Sequence, residues 1–226
     1  MRTLSSVVPS RERTHENAVK GQIFRGGTIR LPPGKKWRDY ELRALGLRDF
    51  ARIDEDSPLD PYQLAHFARL LVLDFNHITG LSAQAREHLI GPAATEWSGG
   101  ACSRPLPDGR RIIILNPKHG RARTNATLME EICHVFLGHR PNRLAFTPEG
   151  ESGSKSRDYQ KAEEEAAYAI GAAALVPYGP LRKFIHRGKT STGTARHFRV
   201  SRRLVEYRLK VTKLWELYKS SNQPED

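Results

Sequence analysis

The chain has only two cysteines, Cys102 and Cys133, among its 226 residues. That rules out a fold built on disulfides and points to a reducing compartment. Long apolar runs are missing too. The most apolar stretch, Ala166 to Pro177, is alanine-rich and far shorter than the roughly 20 residues that a bilayer-spanning helix needs. The first residues, Met1 to Val8, lack the apolar segment of a secretory signal. A soluble cytoplasmic protein with no membrane association is expected. Acidic residues are in deficit, 25 against 37 Lys and Arg, so the formal net charge is +12. A field of that sign attracts polyanions without choosing among nucleic acid, acidic proteins and anionic surfaces.

What is present is a chain of ordinary globular composition, long enough to bury a core of its own. Residues 1–57 read as a basic arm followed by short elements. Gly26-Gly27 and Pro32-Pro33-Gly34 interrupt the arm, and Trp37 to Arg52 holds short mixed segments. Asp60-Pro61 then opens a helix, because Asp is a good N-cap and Pro fits the first helical position. Leu64, Ala65, Phe67, Ala68, Leu71 and Val72 continue it at helical spacing. Trp97 to Ala101 and Arg110 to Asn116 form a hairpin around Asp108-Gly109, which supplies the turn. The β-rich run Ile112-Ile113-Ile114-Leu115 is expected to offer an edge along which a peptide could lie by strand addition. A helix is predicted over Asn125 to Gly138, stopped by Gly138 and Pro141. A second runs from about Tyr159 to Val176. Two more follow, one around Thr194 to Phe198 and one from Ser201 to about Lys219, with Ser201 as N-cap. The organisation is therefore an arm (1–57), a core (58–180) and a basic helical part packed on it (181–226).

The chemistry concentrates in Glu130-Glu131-Ile132-Cys133-His134. Two ligands at i and i+4 share one helix face, and a carboxylate at i+1 can act on a water there. The usual spelling is His-Glu-x-x-His. In this register His134 is the second ligand, Glu131 the general base, and Glu130 stands in the first ligand's place. A carboxylate oxygen is itself a competent zinc ligand. Two carboxylates and one imidazole make a harder site, so zinc is the expected ion with Mn²⁺ and Fe²⁺ as alternatives. A third ligand often comes from a following helix, and Glu163-Glu164-Glu165 opens one. Successive residues point about 100° apart, so one or two of them can face the site. Glu165, one turn before Ala169, is favoured, and Glu164 is next. His139 is a further candidate ligand if Gly138 turns the chain back. His66, His77, His88 and His119 have no ligand-like spacing.

These surroundings resemble the ImmA/IrrE family of metallo-endopeptidases. In that family a strand ending in asparagine precedes an arginine-containing turn and then the His-Glu-x-x-His helix. Ile113-Ile114-Leu115-Asn116, Arg121, Arg123 and Thr127 to His134 follow that order, with Glu130 as the departure, and Val135-Phe136-Leu137-Gly138-His139 looks like the common continuation. The second block, a glutamate opening a helix that ends near a proline, is similar to Glu165 to Pro177, one residue longer, so the choice between Glu164 and Glu165 stays open. Thr194 to Leu209 resembles the family's ending. The resemblance implies an α+β, zincin-like core of helices on a small sheet with a helical C-terminal part. It also implies one divalent metal ion and hydrolysis of peptide bonds in a regulatory protein such as a helix-turn-helix repressor.

Two other readings compete. A relative that has lost the reaction could bind the same repressor or another partner protein. Alternatively, the basic C-terminal part could touch nucleic acid weakly, as a DNA-associated regulatory module. Residues 181–213 hold eleven Lys and Arg against one acidic residue. The helix, the turn at Val200-Ser201 and the next helix could pass for helix-turn-helix. Phe198, Val200, Leu204, Val205 and Leu209, however, are what a helix pair docked on a core requires.

Overall fold

The structure is a computed structural model, and it describes residues 29–101, 105–139 and 153–222. The arm up to residue 28, Cys102 and Pro141 lie outside the described residues. The fold is α+β, with helices packed on a small mixed sheet. The sheet holds β1 (Leu70–Leu73), β2 (Gly99–Ala101) and β3 (Arg111–Leu115) in the order β1-β3-β2. β1 runs parallel to β3, pairing Leu70 with Arg111, and β2 runs antiparallel, pairing Gly99 with Leu115. The hairpin is therefore present, but the isoleucine run lies in the centre. Both flanks of β3 are hydrogen-bonded, so Ile112 to Leu115 cannot be an edge. Ile113 and Leu115 alternate inward and are buried, as a strand covered on one face requires.

Four helices position the site. α1 (Lys35–Phe50) and α2 (Pro61–Phe67) precede the sheet residues in chain order, α4 (Arg121–Phe136) follows β3, and α5 (Gly153–Leu175) packs across α4. The remaining helices are α3 (Ala83–Ile90), α6 (Tyr178–His186), α7 (Ser191–Phe198), α8 (Arg202–Val211) and α9 (Trp215–Ser221). Asp60 caps α2 by accepting from the Tyr62 N–H, and Ser201 caps α8 by accepting from Leu204 N–H, both as expected. α4 lies close to β2 and to α5 because the contact positions are small. A Cβ on Gly99 would stand 2.8 Å from Thr127 Cγ2, and one on Gly171 would stand 3.3 Å from Met129 Cγ. The alanines of α5, from Ala167 to Ala174, are buried in the same core.

Three sequence expectations are corrected. Trp37 to Arg52 is not a set of short segments but mostly one helix, α1, packed on α5. Its buried face includes Glu41 and Arg48, which break the apolar period. The helix from Asp60 does not reach Val72. It stops at Phe67, Arg69 turns the chain at φ +57°, and Leu70–Leu73 is a strand. A short apolar run serves either state, and here the neighbour β3 decides. The last helix is broken in two. Thr212 Oγ1 donates back to the Arg208 carbonyl at 2.6 Å, and Lys213 takes φ +60°. α6, between the alanine helix and the basic part, has no counterpart in the sequence reading.

Candidate metal centre

Glu130 and His134 sit one turn apart on α4, where i and i+4 side chains share a face. The α4–α5 crossing brings Glu164 over them. Glu130, His134 and Glu164 each offer a ligand atom, and these atoms lie within 4.8 Å of one another. His134 Nε2 is 3.5 Å from Glu164 Oε2. Glu165, the favoured member of the triplet, points elsewhere: Lys36 Nζ on α1 holds its Oε1 at 2.6 Å. The roughly 100° step between neighbours on a helix separates the two. Glu163 is not part of the converging group, although its charge reaches His134.

The electrostatics of the site are those of crowded carboxylates. Burial, then the charges of Glu164 and Glu131, pushes Glu130 up to about 7. Burial and the charge of Glu164 push Glu131 up to about 7 as well. Burial lowers His134, and Glu164 opposes that shift. Among the described residues no Lys or Arg is paired with Glu130, Glu131 or Glu164. Three convergent oxygen and nitrogen donors with an unbalanced negative charge fit a small divalent cation. Cys133, on the same helix, is fully buried and its thiol is pushed well above its ordinary range, so it acts as packing rather than as a ligand.

The surroundings fix these groups in place. Asn116, buried at the end of β3, donates through Nδ2 to the carbonyls of Ala94 and Trp97 at 2.8 and 2.9 Å and accepts from Lys118 N–H. It ties the segment before β2 to the strand that leads into α4. Arg123 Nη2 donates to Ser98 Oγ at 2.9 Å, binding the first turn of α4 to the same segment. His139 folds back so that its Nδ1 is 3.0 Å from His134 Nδ1. His139, a candidate ligand by sequence, thus turns its Nδ1 toward His134. Tyr168, one turn beyond Glu164, feels the charge of Glu130 and is raised mainly by burial. Nothing in the sequence pattern singled it out.

The family model of the IrrE N-terminal-like domain matches residues 92–210, more than half of the chain. The chain belongs to this family. Its members are peptidase-like proteins, typically metal-dependent, and the matched region contains β3, α4, α5 and the Glu130, His134, Glu164 group. Among solved structures the chain is similar to a Mycobacterium tuberculosis transcriptional regulator, with 14% identity, a TM-score of 0.49, and coverage of 76% of this chain. The chain spans less than half of that protein, 46% of its length. No curated protein matches. The family relation gives no support to nucleic-acid binding by the basic C-terminal part. Among the described residues no helix is long and apolar enough to cross a membrane.

Proposed function

We propose that this IrrE-type chain is a metal-dependent endopeptidase whose cation is held by Glu130, His134 and Glu164, with a regulatory protein such as a helix-turn-helix repressor as substrate. The observation that carries this reading is the convergence of those three side chains from α4 and α5 on one point. Zinc is the expected ion, and the two carboxylates leave Mn²⁺ and Fe²⁺ as alternatives. A bound divalent cation supplies Lewis acidity toward a water and a peptide carbonyl.

Glu131 is the general base. It follows Glu130 on α4, and its carboxylate beside the converging ligands can take a proton and return it. It takes the proton of the attacking water and delivers it to the leaving amine nitrogen. β2 is the strand beside α4, at an edge of the sheet, and it replaces the isoleucine strand as the place where an extended peptide lies. Cleavage of a peptide library, read by mass spectrometry, tests the proposal. Glu131→Gln is expected to abolish cleavage while keeping the metal; a variant that cuts at the wild-type rate contradicts the assignment.

One observation favours a second reading. Glu130 replaces a neutral imidazole with a carboxylate, which donates more charge to the cation and leaves a bound water less acidic. A chain that keeps the metal but has lost the reaction would bind the same partner without cutting it. Glu130→His separates the two: an increase in cleavage from a wild-type level of zero supports the binder, and a decrease from a measurable level supports the enzyme.

A further inference from the structure

The contact between His139 and His134 is built into the end of α4. Phe136 is the last helical residue, Leu137 is the C-cap, and Gly138 follows at φ +71°. Gly138 N–H donates to the Val135 carbonyl at 3.1 Å, and His139 N–H donates to the His134 carbonyl at 2.9 Å. These are the paired bonds of a Schellman stop, which set the residue two past the cap against the third residue from the helix end. The break between α8 and α9 uses the same pair of bonds, from Lys213 to Lys210 and from Leu214 to Leu209, and there the opposed side chains are leucines. At the end of α4 they are two imidazoles, 5.0 Å apart between centroids and T-shaped.

A hydrogen bond between two Nδ1 atoms contains one proton, and its owner decides what His134 can do. If His139 is the donor, neutral His134 has its hydrogen on Nε2, aimed at Glu164, and no lone pair for a cation. If His134 is the donor, its Nε2 lone pair faces Glu130 and Glu164. We propose that His139 is a positioning residue that accepts the Nδ1 proton of His134, holding His134 in the tautomer whose Nε2 takes the cation. The inference rests on the Glu130, His134, Glu164 site. Histidine ligands usually donate their second N–H to a carboxylate or a backbone carbonyl; here the acceptor is an imidazole supplied by the helix stop. With Nδ1 committed to His134, His139 is not a fourth ligand.

The test uses the full-length ¹⁵N-labelled protein, titrated with Zn²⁺ by calorimetry and followed by long-range ¹H–¹⁵N spectra of the imidazoles. In the zinc-loaded wild type, His134 is expected to have its proton on Nδ1 and His139 on Nε2. His139→Phe, which keeps a ring but no acceptor, is expected to weaken zinc binding about 10- to 100-fold. His139→Asn, whose carbonyl oxygen takes the place of Nδ1, is expected to recover most of that loss. A zinc-loaded wild type with the hydrogen of His134 on Nε2 overturns the inference, and that readout needs no variant. Unchanged zinc affinity in His139→Phe, or equal losses in the Phe and Asn variants, overturns it as well while leaving the site intact. A wild type that takes up no zinc overturns the site itself, and the inference with it.

Discussion

Two groups of charge lie along α5, one fully buried and one partly exposed, and they are solved in opposite ways. At its C-terminal end, Arg48 Nη1 donates to the Ala174 carbonyl at 2.6 Å and Arg208 Nε donates to the Val176 carbonyl at 3.0 Å. Glu41 pairs with Arg208 through one oxygen and accepts the Tyr178 N–H through the other. Arg48 also reaches the carbonyls of Asp54 and Ser57. Glu41, Arg48 and Arg208 are each about 1% exposed. Cations here meet the unsatisfied carbonyls of a helix end, where the macrodipole favours them. Nearer the middle of α5, Glu164 joins Glu130 and Glu131 with no basic partner among the described residues. The first group finds most of its partners within the chain, although Arg48 Nε has none among the described residues and burial pulls the Arg48 guanidinium down to about 10. The second is short of positive charge, and burial first, then the neighbouring carboxylates, raises Glu130 and Glu131. The difference teaches that the fully buried charges are met by helix-end carbonyls or a counter-charge, whereas the partly exposed carboxylates are not. The second group is left without a basic partner, among the described residues, where Glu130, His134 and Glu164 converge.

Breaking the first group should have the largest effect. Glu41→Ala leaves the Arg208 guanidinium buried without its counter-charge, and urea unfolding should show a loss of about 3–5 kcal/mol. Completing the second group comes next. Zinc at 100 times its dissociation constant should raise stability by about 2.7 kcal/mol, and the rise should vanish in His134→Ala.

The pH dependence sharpens the contrast, and its sign follows from the direction of the shifts. Glu130 and Glu131 have folded-state values raised from 4.5 to about 7. Their contribution to stability is therefore fully present below about pH 4.5 and is lost as pH rises through 7. Metal-free protein should lose stability across that window, and bound zinc should remove the loss. Glu130→Gln should raise the stability of the metal-free protein at pH 8 by on the order of 1–2 kcal/mol, visible in thermal melts. The smallest effect separates the neighbouring glutamates. Glu165→Gln removes an exposed pair with Lys36 and should cost about 0–1 kcal/mol with zinc affinity unchanged. Glu164→Gln should lower zinc affinity markedly in the same titration.

Much of this was legible in the chain. The caps Asp60 and Ser201, the hairpin at Asp108-Gly109 and the motif helix ending at Gly138 follow from local rules that one residue type satisfies better than others. So does the pairing of Glu130 with His134 on one face, since i and i+4 fix it wherever the helix lies. What could not be read depends on contacts between distant segments. α1 was hidden because Glu41 and Arg48 occupy its buried face, and their partners Arg208 and Ala174 are more than a hundred residues away. The central place of β3 depends on Leu70–Leu73 pairing beside it. That Glu164 rather than Glu165 converges with Glu130 and His134 depends on how α5 rotates against α4, where Gly171 and Met129 approach closely. The contact of His139 with His134 needed the backbone bonds of the helix stop, since five residues of separation places it off the ligand face of a continuous helix.

In the proposed site the carboxylates of α4 and α5 are completed by a divalent cation held by Glu130, His134 and Glu164. Equilibrium dialysis of the purified protein against Zn²⁺ and Mn²⁺, with the bound metal counted by mass spectrometry, tests it most directly. One equivalent per chain in the wild type, and none in His134→Ala, is the predicted result. No bound metal in the wild type, or a full equivalent retained in His134→Ala, would contradict it.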